Sequence, residues 1–479
     1  MQPLHGGHAT YTCMIDYKAR LTLTCEYNPY YSAVDNPHSE QMAPPYAPQT
    51  LADLQLAATQ HGLQNIQVIL DLDKKDLIRP ASEWTVRHLI AYRLLIQPEM
   101  SFLPIFLDVH LELCPVCNED DGLEHYKIDI AHVQSITCDT PQDLCQKTDG
   151  ELHRLPGGFF WAALAHAARH ESEVVEMERA YPRRERVQVR QEGFVSSATA
   201  AFGSSPTDQG ASSPAEPAMS DFSHVTQDLD DDENEARRSK PEQVTVHLLT
   251  MFLNTALNLC LVQHHPGTVA RHEIRARVGR ARCTTKVAQL YSITAEDDGG
   301  IYRASQTRSG GWAVDHPFLA IVEAKRAFER VDFNTTTDTF TPVISNNILA
   351  QIFGEAVVAW KSNNELLRKG VFVIVAASTF IRLTHFRFGT DYLEYLDTAR
   401  RGTQALIVED PEKDVSVQMQ STGWLDLHSR RGREVALCHV LALVTWWDKQ
   451  ISDDDSGVDD ISDLHGDDDF DDDDMELGE

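Results

Sequence analysis

Phe318-Leu319-Ala320-Ile321-Val322-Glu323-Ala324-Lys325 is the stretch on which the reading of this chain turns. Its apolar run predicts a buried strand, and residues two apart on a strand share a face. Glu323 and Lys325 therefore point one way while Val322 and Ala324 point into the core. A carboxylate and an ammonium at a strand end have a bland reading, a surface ion pair worth ~0–1 kcal/mol. A chemical reading needs a second carboxylate, and Asp298 offers one in the turn Asp297-Asp298-Gly299-Gly300, just before a short strand Ile301-Tyr302-Arg303. A hairpin from that strand to Phe318 brings Asp298 beside Glu323. Two carboxylates plus waters suit Mg²⁺, a small hard ion that takes oxygen ligands and keeps part of its hydration. Lys325 would then orient or help deprotonate a water and screen charge developing on a phosphate.

Outward from this strand, Asn346 to Lys361 reads as a helix with Gln351 and Glu355 on one face and Leu349, Ile352, Phe353, Ala356 and Trp360 on another. Upstream, Pro241 opens a helix with the apolar face Val244, Leu248, Leu249, Phe252, Leu253, Ala256 and Leu257. Strands follow at Arg271–Val278 and Val287–Thr294. Arg271, Arg275, Arg277, Arg280 and Arg282 lie close together with Glu273 as the only acid among them, a basic stripe suited to phosphate contacts. Downstream come an apolar strand Val371–Ala377 and a helix over Val435–Trp447. The order α-β-β-β-α-β implies a sheet flanked by helices.

Asp298-Gly-Gly-Ile, then Phe318 to Lys325, then Gln351-x-x-x-Glu355-x-x-x-Ala359-Trp360 together resemble the PD-(D/E)XK nuclease-like superfamily, specifically the fungal proteins that carry such a domain. The resemblance spans residues 241–449. It implies an α/β (α+β) fold with a restriction-endonuclease-like core, a mixed sheet flanked by helices. It also implies hydrolysis of phosphodiester bonds in nucleic acid, DNA or RNA, with Mg²⁺ or Mn²⁺ as cofactor. Asp298 and Glu323 match the metal-binding acids and Lys325 the catalytic lysine; Gln351 and Glu355 complete the site from the helix. Asp297 stands where the family usually has Pro. For the acid often found on the first core helix the candidate is Glu242. A nuclease-like fold that has lost catalysis and serves as a nucleic-acid or protein binding module is the competing expectation.

The remainder divides by composition. Residues 1–182 read as a separate N-terminal α/β domain of unassigned function, with helices at Leu51–His61, Trp84–Ile96 and Gly158–Met177, strands at Tyr17–Tyr27 and Phe102–Leu113, and Thr50 as an N-cap. Residues 183–240 read as a disordered linker, rich in Ser, Ala, Gly and Pro after a short Arg run. Cys114-Pro-Val-Cys117 is half of a zinc pattern without a matching second pair. The nine cysteines at scattered spacings, the absence of a signal-like N-terminus and the lack of any apolar run of membrane-spanning length predict an intracellular protein, nuclear or cytoplasmic, that does not enter a membrane.

The net charge of −31 argues against nucleic acid until it is dissected. Ile451 to Glu479 holds 15 carboxylates without a Lys or Arg, and Asp228 to Glu235 holds six more, which leaves −10 for everything else. Residues 450–479 read as a disordered acidic tail, able to recruit protein partners, as is the N-terminal domain, or to compete as a tethered polyanion for the basic stripe. Deleting residues 453–479 is expected to raise nucleic-acid affinity, most at low salt, as measured by fluorescence anisotropy over a salt series; an unchanged affinity counts against such competition.

Overall fold

The computed structural model describes residues 45–109, 127–169, 242–263, 272–328, 330–334 and 339–456. The expectations for Tyr17–Tyr27, the linker, Cys114, Cys117, Arg271 and residues 457–479 fall outside them.

Thr50 caps helix α1 (Leu51–Gln60) as expected: its hydroxyl accepts from the Asp53 amide while the Asp53 carboxylate accepts from the Thr50 amide. The helix read over Trp84–Ile96 forms only in its middle, as α2 (Val86–Ala91). Arg93 then takes a left-handed φ of 59°, and the chain leaves as strand β1 (Leu94–Ile96). Phe102–Leu113 does not start as a strand, because Pro104–Phe106 is a 3-10 turn. Helices α3 (Ile130–Thr137) and α4 (Gly158–Ala168) close this half.

The second half opens with α5 (Glu242–Thr255), which widens into a π-helical turn to Cys260, and continues with β2 (His272–Arg277). The single strand expected at Val287–Thr294 is instead a hairpin of β3 (Arg282–Val287) and β4 (Tyr291–Glu296). Its turn places Ala288 and Gln289 at φ 49° and 58° without the usual glycine or asparagine, which is why periodicity alone missed it. Tertiary contacts hold that strained turn: Ala288 is fully buried and its amide donates to the Leu396 carbonyl at 2.7 Å. There follow β5 (Gly299–Gln306), β6 (Trp312–Lys325), α6 (Asn346–Ser362), β7 (Val371–Ala377), β8 (Phe380–Phe388), α7 (Tyr392–Asp397), α8 (Arg401–Glu409), β9 (Val417–Ser421) and α9 (Arg430–Ser456). The last helix runs through residues 450–456, so the acidic tract begins as helix.

Eight strands make one mixed sheet in the order β1-β9-β8-β7-β6-β5-β2, with Leu425–Asp426 added on β8. β1 with β9 and β6 with β7 run parallel, and the other neighbours antiparallel. The architecture is thus α+β, a large mixed sheet with flanking helices. Among the described residues no helix is long and apolar enough to cross a membrane.

The expected separate N-terminal domain is not what forms. Its described residues share the sheet and one continuous core with the second half, because β1 is too short to bury its apolar side chains alone and borrows β9 to do so. Trp84 lies so close to Gly354 of α6 that a Cβ there would meet the indole at 2.9 Å. The hydroxyls of Tyr392 and Tyr395 donate to the carbonyls of Tyr92 and Ala91 at 2.8 and 2.7 Å. Arg433 on α9 is fully buried; it donates to the carbonyls of Ile136, Cys138, Leu427 and His428 and lies over the Trp161 ring. Arg433→Met would leave those acceptors unpaired at about 1–3 kcal/mol each, so we expect urea denaturation to show a loss above about 3 kcal/mol in a single transition shared by both halves. A separate, unaffected transition of the N-terminal half would contradict this.

Candidate functional site

The site lies where β5 begins and β6 ends. Gly299 pairs with Val322, and the residue before it is pinned to β6 by two bonds: the Asp298 amide donates to the Val322 carbonyl at 3.0 Å, and the Ala324 amide donates to Asp298 Oδ2 at 3.1 Å. The hairpin inferred from the sequence therefore does carry Asp298 to the Glu323–Lys325 strand. On the other side β7 runs parallel, with Val375 opposite Glu323 and Ala377 opposite Lys325, so the glutamate sits within the sheet and is 1% exposed.

Helix α6, N-capped by Ser345, lays Gln351 and Glu355 over that strand end. The Gln351 amide Nε2 donates to Glu323 Oε1 at 2.6 Å and to Glu355 Oε1 at 2.9 Å, while its Oε1 accepts from Lys325 Nζ at 3.0 Å. Lys325 also forms an ion pair with Glu323 Oε1. Four side chains from two distant segments thus form one closed network. The far oxygens, Glu323 Oε2 and Glu355 Oε2, are buried and receive no N–H or hydroxyl donor, and the two carboxyl groups lie close enough to share a hydrogen bond when one of them is protonated.

Burial governs the charges. It pushes Glu323 up to about 7, against the pull of Lys325 and with the help of the Asp298 charge. Glu355 is raised well above the carboxylate range by burial and then by Glu323 beside it. For Lys325 burial works downward, but Glu323, with Glu355 and Glu242, outweighs it and holds the ammonium above its ordinary value. Both carboxyl groups are held above the usual carboxylate range, Glu355 the further, so of this coupled pair Glu355 is the one that keeps a proton to the higher pH, beside charged Lys325.

Asp297, unlike Asp298, is structural. Arg277 grips it with two bonds of 2.8 and 2.6 Å, and the amides of Ala281 and Gly299 add two more. A Cβ at Gly300 would meet the Ala320 carbonyl at 2.5 Å and Arg277 Nη2 at 2.8 Å, so the second glycine of the turn is what lets this arginine lie across the sheet.

The basic stripe is largely spent on acids. Arg275 pairs with Glu273 and lies over Trp312, and Arg277 is held by Asp297. Arg280 reaches Asp298 Oδ1 at 2.9 Å, Glu296 at 3.5 Å and Glu242 at 3.8 Å. Only Arg282, exposed on β3, makes no ion pair among the described residues. Sequence reasoning placed Arg280 on nucleic acid and missed that it caps the candidate acid; the early acid Glu242, by contrast, is brought to the same cluster.

Among the described residues no group of three or more His, Cys, Asp or Glu side chains is placed to hold a metal ion. The donor set present is the pair Asp298 and Glu323. Both are carboxylates, the oxygen donors a hydrated Mg²⁺ or Mn²⁺ takes; Asp298 Oδ1 is occupied by Arg280, a side chain that is 55% exposed and also pairs with Glu296 and Glu242. Compared with known protein families and with curated proteins, the chain matches none.

A carboxyl group whose pKa is raised on folding stabilises the protein below its unfolded value and loses that contribution as pH climbs through the folded one, here from 4.5 to about 7 for Glu323 and higher for Glu355. Glu355→Gln, which stays neutral, is expected to gain roughly 1–3 kcal/mol over the wild type at pH 8 and much less at pH 5, by paired denaturation curves. The same difference at both pH values would show that Glu355 is not the proton carrier.

Proposed function

We propose that the chain is a divalent-metal-dependent phosphodiester hydrolase of nucleic acid, built on a restriction-endonuclease-like core of the PD-(D/E)XK kind. The observation that carries the reading is the convergence of three motifs far apart in the chain, the acid before β5, the Glu-x-Lys of β6 and the Gln-x-x-x-Glu of α6, on one strand end. Asp298 and Glu323 would hold Mg²⁺ or Mn²⁺, which when bound supplies a Lewis acid and lowers the pKa of a ligated water. Lys325, kept charged by Glu323, would orient an attacking water and offset the negative charge that gathers on the phosphate. Gln351 fixes both partners through its two amide atoms. Glu355, protonated, lets Gln351 and Glu323 be buried without a second full negative charge. An intracellular place of action, nuclear or cytoplasmic, goes with such a substrate, and the acidic tract or the N-terminal half would engage protein partners.

One observation favours the alternative, a silent nuclease-like fold that only binds nucleic acid or protein: both candidate metal acids already have cationic partners, Arg280 and Lys325. The two readings separate in one assay. Purified protein incubated with single- and double-stranded DNA and RNA is expected to cleave at least one of them with Mg²⁺ or Mn²⁺ and none in EDTA, and Lys325→Ala is expected to slow cleavage about 100-fold or more. Absence of metal-dependent cleavage, or full activity in the variant, would leave only the binding reading.

A further inference from the structure

Beside the candidate site, β2, β5 and β6 frame an open cleft of about 460 Å³ lined by Ala276, Arg277, Val278, Gly279, Ala281, Tyr302, Val314, Pro317 and Phe318. From this cleft we infer that the substrate is single-stranded nucleic acid, one base of which lodges between Tyr302, Val314 and Phe318. The inference rests on the nucleic-acid reading above and narrows it.

Four observations point to this occupant. First, the cleft is mostly apolar and carries the rings of Tyr302 and Phe318, with the Arg277 guanidinium, paired to Asp297, 5.8 Å from the Phe318 ring centroid. Second, two of the lining side chains are apolar and exposed, Val278 at 63% and Val314 at 57%, and Trp312, two residues along β6 from Val314 and outside the lining, is 39% exposed with Arg275 4.7 Å over its ring. Third, the strand that leaves the cleft at Ala281 alternates outward Arg282, Thr284 and Lys286, and neither Arg282 nor Lys286 makes an ion pair among the described residues. This row of free cations offers a track for phosphates. Residues 272–328 hold nine Lys and Arg against six Asp and Glu, in a chain whose total charge is −31. Fourth, the cleft adjoins the chemistry: Arg277, in its wall, grips Asp297, whose neighbour is Asp298. A backbone threaded from a lodged base passes the candidate acids. A paired base hides its faces in the stack, so a cleft of this shape takes an unpaired strand.

The test is binding without catalysis. Fluorescein-labelled ten-nucleotide oligo(dT), the same oligomer with abasic sites, and a duplex of equal length are titrated into the full chain in EDTA, with the wild type, Trp312→Ala and Val314→Asp. We expect oligo(dT) to bind roughly tenfold or more tightly than either the abasic oligomer or the duplex, and each variant to lose most of that margin while keeping the wild-type melting temperature. Equal affinity for oligo(dT) and its abasic form overturns the inference, as does unchanged affinity in both variants. If Val314→Asp instead abolishes self-association in sedimentation while oligonucleotide affinity holds, the cleft belongs to a second copy of the chain and the inference is likewise wrong. Because no metal is present, these outcomes are independent of cleavage: a protein that binds bases but never cuts defeats the hydrolase and not the cleft, and one that cuts but ignores bases does the reverse.

Discussion

Everything in the candidate site depends on one costly placement, the Glu323 carboxylate in the interior of an eight-stranded sheet. A buried carboxylate costs on the order of several kcal/mol unless charge and hydrogen bonds compensate. Lys325 and the Gln351 amide provide that compensation at one oxygen, and the other oxygen receives no N–H or hydroxyl donor. A protein needing only stability would be served as well by an apolar residue here, since a well-packed hydrophobe often replaces a buried ion pair at no loss. The retained charge and the raised carboxyl groups around it are features that cluster at functional sites, which is why this strand end is the candidate site.

The network is positioned by the packing of α6. One side of this helix faces Glu323 and Lys325, and its Gly354 lies against Trp84 from the N-terminal half. The Tyr392 and Tyr395 hydroxyls tie the second half to the Tyr92 and Ala91 carbonyls of the first, and the Tyr46 amide donates to Asn346 Oδ1 at 2.9 Å, at the start of α6. The N-terminal residues are thereby a buttress for the site helix. Composition suggests an independent domain because residues 183–240, rich in Ser, Ala, Gly and Pro, intervene in the sequence, whereas the described residues on either side share one core.

Local patterns were legible where one residue type or one spacing sufficed. The apolar run of β7, the helix α6 and the cap at Thr50 were read within a residue or two, and the glycines read as a turn open β5 itself. The pairing of Asp298 with Glu323 was also readable, because a hairpin from a glycine turn has few ways to close. What failed did so for tertiary reasons. The β3–β4 turn has no glycine because packing of Ala288 and its bond to Leu396 hold the backbone there. The arginines of β2 looked like a phosphate stripe because strand periodicity reports the face a side chain occupies and not the carboxylate that neutralises it.

The sequence by itself determined which chemistry is present: two acids, a lysine and a Gln-x-x-x-Glu helix, spaced so that strand and helix periods bring each pair to one face. Only the tertiary structure decided their state. Burial raises the Glu355 carboxyl well above its ordinary range, and the fold puts Arg280 on Asp298, spends Arg275 and Arg277 on acids, and leaves Arg282 and Lys286 without an ion pair among the described residues. Periodicity is a property of neighbours along the chain, whereas charge state and partner are set by desolvation and by residues that arrive from elsewhere.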